Sequence, residues 1–119
     1  MFNPTAAISD IKKFIIETVK AAGPDACPPY VVGVGIGGTA DYAMVMAKKA
    51  LLGKIVKPKG KLEAELLKEI NKLNIGPMGL GGKTTCLGVN IETYPTHISG
   101  LPVAVNISCH ALRSATAIL

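Results

Sequence analysis

Five side chains in this 119-residue chain are candidates for nucleophilic or metal chemistry: Cys27, Cys86, Cys109, His97 and His110. No CxxC pair exists, so a local zinc site has no signature. Ligands distant in sequence can still meet in space. Cys27 follows a predicted helix end and precedes Pro28-Pro29, a loop position suited to a metal ligand. Cys109 falls at the end of a predicted strand. Cys86, between Thr85 and Leu87 in a strand-like run, reads as a packed side chain, because free cysteines are commonly buried as small apolar residues. His97 lies in a loop with Pro95 and Gly100, where a histidine is often simply solvated. His110 directly follows Cys109, and alternation along a strand would turn it to the opposite face.

Two glycine patterns invite a phosphate reading. Gly33-x-Gly35-x-x-Gly38 follows a strand and opens a helix, as a dinucleotide fingerprint does. That fingerprint also requires an acidic residue about 20 positions on, and residues 54–59 (KIVKPK) supply none. Gly81-Gly82-Lys83-Thr84 looks like the end of a P-loop, but Pro77 stands where its first glycine belongs, and a strand follows instead of a helix. What survives is mechanical: glycine lets the backbone come close to a neighbour, and a helix N-terminus favours an anion.

Several elements must position these groups. Asn3-Pro4 reads as a helix start. Ile8, Ile11, Phe14, Ile15 and Val19 recur at helical spacing, which predicts a helix over residues 4–21 ended by Gly23-Pro24. Residues 30–36 (YVVGVGI) read as a buried strand, with Gly37-Gly38 as the turn. Thr39 is placed to cap a second helix that runs to about Leu52, with Asp41 favourable in its first turn. Leu62, Leu66, Leu67, Ile70 and Leu73 mark a third helix. Residues 75–83 form a Gly-rich loop, 84–93 a strand, 94–102 a loop and 103–110 a last strand with Val103, Val105 and Ile107 on one face. The fold class is therefore α/β, with α+β as the alternative: one small domain of mixed sheet flanked by about three helices, without internal repeat or second domain.

Composition narrows the function. About half of the residues are apolar, with no Trp and only two Phe, so the core is aliphatic. The net charge is +5. Lys54, Lys57, Lys59 and Lys61 cluster without the Arg and aromatic residues that nucleic-acid binding wants, and read as a solvated loop. No apolar run approaches the roughly 20 residues of a membrane span. No signal peptide is evident. Three widely spaced cysteines argue against a disulfide framework and point to a reducing, cytoplasmic setting.

Three segments together, CPPxxxGxGIGGT (27–39), GPMGLGGKTT (76–85) and the closing cysteine-bearing strand through CHALRSA (109–115), resemble the α part of the class I iron–sulfur fumarate hydratases and the related L-tartrate dehydratases. The likeness extends back to the ISDIKKFIIETV helix (8–19) and so covers nearly the whole chain.

The resemblance implies a 4Fe–4S cluster held by three cysteines, with the fourth iron open to substrate. It assigns Cys27 and Cys109 as two of the ligands, and expects the third from upstream sequence that this chain lacks. Residues 1–119 would thus be the C-terminal portion of the α-subunit catalytic domain: an excised piece, a split subunit, or a chain missing its start. His97 takes the place of the family's substrate-contacting histidine. Gly37, Gly38, Gly81 and Gly82 fall in segments expected to present backbone to the cluster. Arg113 is either structural or a support for the site.

The implied reaction is reversible hydration of fumarate to malate, or dehydration of tartrate to oxaloacetate. An open iron would act as Lewis acid on the leaving hydroxyl. No residue here is a convincing base; base and anion-clamping arginines are expected from a β subunit or β domain. The other implied partners are the upstream α segment, a small dicarboxylate and further copies in an oligomer. Alone, the chain is expected to be inactive. The alternative is a non-catalytic scaffold or metal-binding domain of the same descent.

Overall fold

Tyr30–Gly37 forms strand β1, and its continuous apolar and glycine run reflects its place at the centre of the sheet. The computed structural model describes residues 1–55 and 58–119; Lys57 of the basic cluster lies outside them. Cys86–Tyr94 (β2) pairs with β1 in parallel, and Val103–Ser108 (β3) pairs with it antiparallel, in the order β2-β1-β3. Helices α1 (Ile8–Ala22) and α3 (Lys61–Asn71) cover one face, and α2 (Ala40–Ala50) covers the other. This is the mixed sheet with three flanking helices expected from the sequence.

Alternation along β1 explains both layers. Tyr30, Val32 and Val34 join Ile11, Ile15 and Val19 of α1 and Leu66 and Ile70 of α3 in the core. Gly33 and Gly35 face α2. A Cβ on Gly33 would overlap the Ala47 carbonyl, and one on Gly35 would overlap the Ala43 carbonyl. The glycines that resembled a dinucleotide fingerprint therefore let α2 lie backbone against backbone on the strand. Ala43 and Ala47, one turn apart on the helix, complete that contact.

The elements begin and end for polar reasons that the hydrophobic pattern does not reveal. The first helix starts at Ile8, not Pro4. The Asn3 Oδ1 accepts the Thr5 N–H (3.1 Å) and hydroxyl (2.9 Å), a local turn that competes with helix. Phe2 instead pairs with Leu101 beside the sheet. Thr39 sits at the N-cap of α2, but its side chain caps no backbone N–H. The Asp41 carboxyl is held below the usual range by the nearby Thr39 hydroxyl and by the N–H groups of Asp41 and Tyr42.

The third helix stops at Asn71, two residues short of Leu73. Asn71 Oδ1 accepts the N–H groups of Thr85 and Cys86, each at 2.9 Å, which moves the start of β2 from residue 84 to Cys86. Across the helical layer, Lys12 of α1 bridges to Glu65 of α3. No helix among the described residues is long and apolar enough to cross a membrane.

Candidate functional site

The pairing directions gather three chain segments at one end of the sheet. β2 runs parallel to β1, so the loop before β2 lies beside the entry to β1. β3 runs antiparallel, so its exit reaches the same end. Cys27, the Gly-rich loop over 76–84 and Cys109 thereby converge. The joints are direct. Met78 N–H donates to the Pro28 carbonyl at 2.9 Å, and Gly79 seats against Pro24 so closely that a Cβ there would overlap the proline ring. The His110 N–H donates to the Cys27 carbonyl at 3.4 Å.

Cys27 is exposed and holds a left-handed backbone (φ 53°, ψ 68°), uncommon for any residue but glycine. Its N–H closes a 3-10 turn over Gly23–Ala26 by donating to the Pro24 carbonyl at 3.1 Å. Cys109 is half-buried, one residue beyond β3, where a second 3-10 turn (His110–Leu112) begins.

His110 lies past the strand, so the alternation that would have turned it away does not apply. Its Nδ1 stands 3.2 Å from the Cys27 carbonyl. A carbonyl only accepts, so that bond assigns the proton to Nδ1. Sequence reasoning set His110 aside; the one signal for it was its place directly after a candidate ligand. Arg113 Nε donates to the His110 carbonyl at 3.0 Å, which gives Arg113 a structural task in this turn.

The Gly-rich loop contributes backbone donors. Left-handed Gly76, Met78, Gly79, Gly81 and Gly82 coil it tightly. Thr85, fully buried, anchors its base by accepting the Gly76 N–H on Oγ1 at 3.1 Å. Gly81 N–H is already given to the Ile75 carbonyl (2.8 Å). Among the described residues, the N–H groups of Gly82, Lys83 and Thr84 meet no acceptor. The Tyr30 hydroxyl, buried in the first residue of β1, also finds no partner among them.

His97, Gly37 and Gly38 lie elsewhere. Gly38 N–H donates to Pro95, and Thr96 Oγ1 donates to Gly38, so the His97 loop sits on the exit of β1. Eight residues of β1 separate it from the cysteine end, about 23 Å at ~3.3 Å per residue. There His97 Nδ1 accepts the Ser99 N–H (3.1 Å), which leaves Nε2–H as an exposed donor. Within one chain the sheet groups Cys27, Cys109, Gly81 and Gly82, and separates them from His97, Gly37 and Gly38.

Cys86 belongs to neither group. It is buried, its thiol donates to the Gly88 carbonyl at 3.2 Å, and burial pushes its pKa up to about 12. It is the packed core cysteine expected from its strand context. Among the described residues no three His, Cys, Asp or Glu side chains are arranged to hold a metal ion.

Residues 1–118 match the family model described as fumarate hydratase (Fumerase). The chain belongs to the fumarate hydratase family. Among curated relatives, a Methanocaldococcus jannaschii protein with the provisional name L(+)-tartrate dehydratase subunit alpha is 52% identical over 120 positions, covering 97% of this chain and 42% of the relative. The L(+)-tartrate dehydratase subunit alpha of Escherichia coli strain K12 is 38% identical over 118 residues, covering 95% of this chain and 39% of the relative. Its namesake from Shigella boydii aligns with the same values. The chain thus spans about two-fifths of the length of these fumarate hydratase family members.

The donor set at the cysteine end fits part of an iron–sulfur site. Two thiols on adjacent turns provide the soft ligands such clusters take. The exposed N–H groups of the 82–84 loop, without an acceptor among the described residues, are donors of the kind that can hydrogen-bond such a cluster's sulfurs.

Proposed function

We propose that this chain forms part of a 4Fe–4S-dependent hydro-lyase acting on a small dicarboxylate, by hydrating fumarate to malate or dehydrating tartrate to oxaloacetate. The observation that carries the reading is the convergence of Cys27 and Cys109, far apart in sequence, at one end of the sheet beside unpartnered backbone donors. Cys27 and Cys109 would supply two ligands, and the third comes from a part of the protein outside these residues. A cluster held this way supplies an open iron as Lewis acid toward a leaving hydroxyl.

The chain's own residues hold and orient. The left-handed Cys27 turn and the half-buried Cys109 would present the sulfur ligands, and the 82–84 N–H groups would be available as hydrogen-bond donors beside them. Gly81 acts through shape, since its N–H is already used.

His97 contributes an Nε2–H donor suited to a substrate carboxylate or hydroxyl. Its separation from the cysteines within one chain suits a role at a site on a second copy of the chain. The β subunit or β domain would bring the general base and the anion clamp. Outward-facing Met44 (60% exposed), Val45 (59%) and Leu52 (79%) on and after α2 suit burial against such further parts.

The test is anaerobic iron–sulfide reconstitution of this chain, alone and with the remaining α portion and a β subunit. Visible absorbance and turnover of tartrate and fumarate are the readouts, with tartrate first because the relatives carry that name. A cluster and turnover in the mixture, both lost in Cys27→Ala and in Cys109→Ala, support the proposal. No cluster in any combination overturns it and leaves a scaffold domain.

A further inference from the structure

We propose that His110 is a positioning residue that holds the Cys27 turn against Cys109, so that the two thiols are pre-arranged before any cluster is built. The inference rests on the reading of Cys27 and Cys109 as a ligand pair, but it concerns a contact the chain makes by itself.

Cys27 needs such support. Its left-handed backbone is unfavourable for a residue with a Cβ, it is exposed, and within its own turn it makes a single bond, from its N–H to Pro24. Among the described residues, its carbonyl is held entirely from far along the chain. One residue, 83 positions away, donates to it twice, through the backbone N–H at 3.4 Å and through Nδ1–H at 3.2 Å. Because His110 is bonded covalently to Cys109, whatever it fixes to Cys27 also fixes the spacing between the two cysteines.

The backbone bond could come from any residue except proline. The second bond needs a side-chain donor two bonds beyond Cβ, which histidine has at Nδ1 and asparagine has at Nδ2. The donor turn is itself braced: Leu112 N–H returns to the Cys109 carbonyl at 3.2 Å, and Arg113 Nε to the His110 carbonyl at 3.0 Å.

The experiment compares the wild-type chain with His110→Ala and His110→Asn in two ways. In the cluster-free chain, dibromobimane fluoresces only when it bridges two thiols, and peptide mapping shows whether they are Cys27 and Cys109. The wild type should bridge this pair. His110→Ala should bridge it about fivefold more slowly, the factor for ~1 kcal/mol of lost ordering, and His110→Asn should recover most of the rate. Iron–sulfide reconstitution with the partner portions should follow the same order, with an altered cluster EPR signal in His110→Ala.

Failure of the wild type to bridge the pair overturns the inference. So does an equal rate in His110→Ala, or an Asn variant as slow as the Ala variant while both melt like the wild type. Bridging with the expected order but no cluster in any mixture keeps the His110 role and overturns the hydro-lyase reading instead.

Discussion

The Glu63 carboxylate accepts the Ile91 backbone N–H at 2.9 Å, and so closes the free edge of β2 with a side chain from α3. Its second oxygen takes the N–H groups of Lys59 (2.6 Å) and Gly60 (3.1 Å) at the start of the helix. One buried acid therefore satisfies three backbone donors in two elements. Glu63→Ala strands all three and should cost about 2–3 kcal/mol. Glu63→Gln should cost nearly as much, because its amide nitrogen turns a donor toward donors. Urea unfolding of both variants checks this; a loss under half a kcal/mol in either contradicts it.

Glycines at two positions should respond in opposite directions. Gly35→Ala places a methyl in the Ala43 carbonyl and 2.9 Å from the Ala47 nitrogen, backbone atoms that cannot yield without lifting α2 off the sheet. Overpacking of this kind costs about 3 kcal/mol or more, and the variant should melt far lower or fail to fold. Gly60→Ser meets open space at the N-cap of α3 and completes a capping box with Glu63. It should raise stability by a few tenths of a kcal/mol, about the Ser-over-Gly preference at an N-cap, visible as a small rise in thermal midpoint.

Cys86 predicts a pH dependence. Desolvation lifts its thiol from 9.0 to about 12 in the folded chain. The unfolded chain gives up this proton first, so stability from the neutral thiol is complete below pH ~9 and declines as pH rises toward ~12, by at most about 1.4 kcal/mol per unit. Unfolding measured against pH should show that decline, and Cys86→Ala should flatten it. The same burial predicts that iodoacetamide labels Cys27 well before Cys86 in the folded chain; equal labelling contradicts the assignment of Cys86 to the core.

Placement of His97 at the far end of β1 predicts complementation between copies. Cys27→Ala and His97→Ala should each be inactive in the reconstituted enzyme. Mixed before assembly, the two should regain turnover, because one site then combines intact cysteines with an intact His97 from the other copy. A mixture as inactive as its components would assign His97 to its own chain's site or to none.

Much of the framework was legible because its signals are local. Ile11, Ile15 and Val19 mark α1 by spacing, and the unbroken run from Tyr30 marks the central strand. Cys86 was legible as core from its strand context. The residues that misled are those whose partners lie far off in the chain. Gly33 and Gly35 answer to Ala47 and Ala43, and His110 answers to Cys27. Strand order and direction decide such meetings, and neither is written in the periodicity of one segment. The separation of His97 from the cysteines has the same origin: it follows from β3 running back along β1.

The pairing of β1 also sets an order in time. Tyr30 pairs with Cys86 and Val31 with Ser108, so the most apolar strand has no sheet partner until β2, which begins at Cys86, has left the ribosome, and no second partner until β3 follows. Until then Val31, Val32 and Val34 depend on α1 and α2 for cover, and an open strand of this composition is a template for wrong pairing. Non-local pairing of this kind slows folding. Chaperone demand during synthesis should therefore be concentrated in the interval between the emergence of β1 and that of β3.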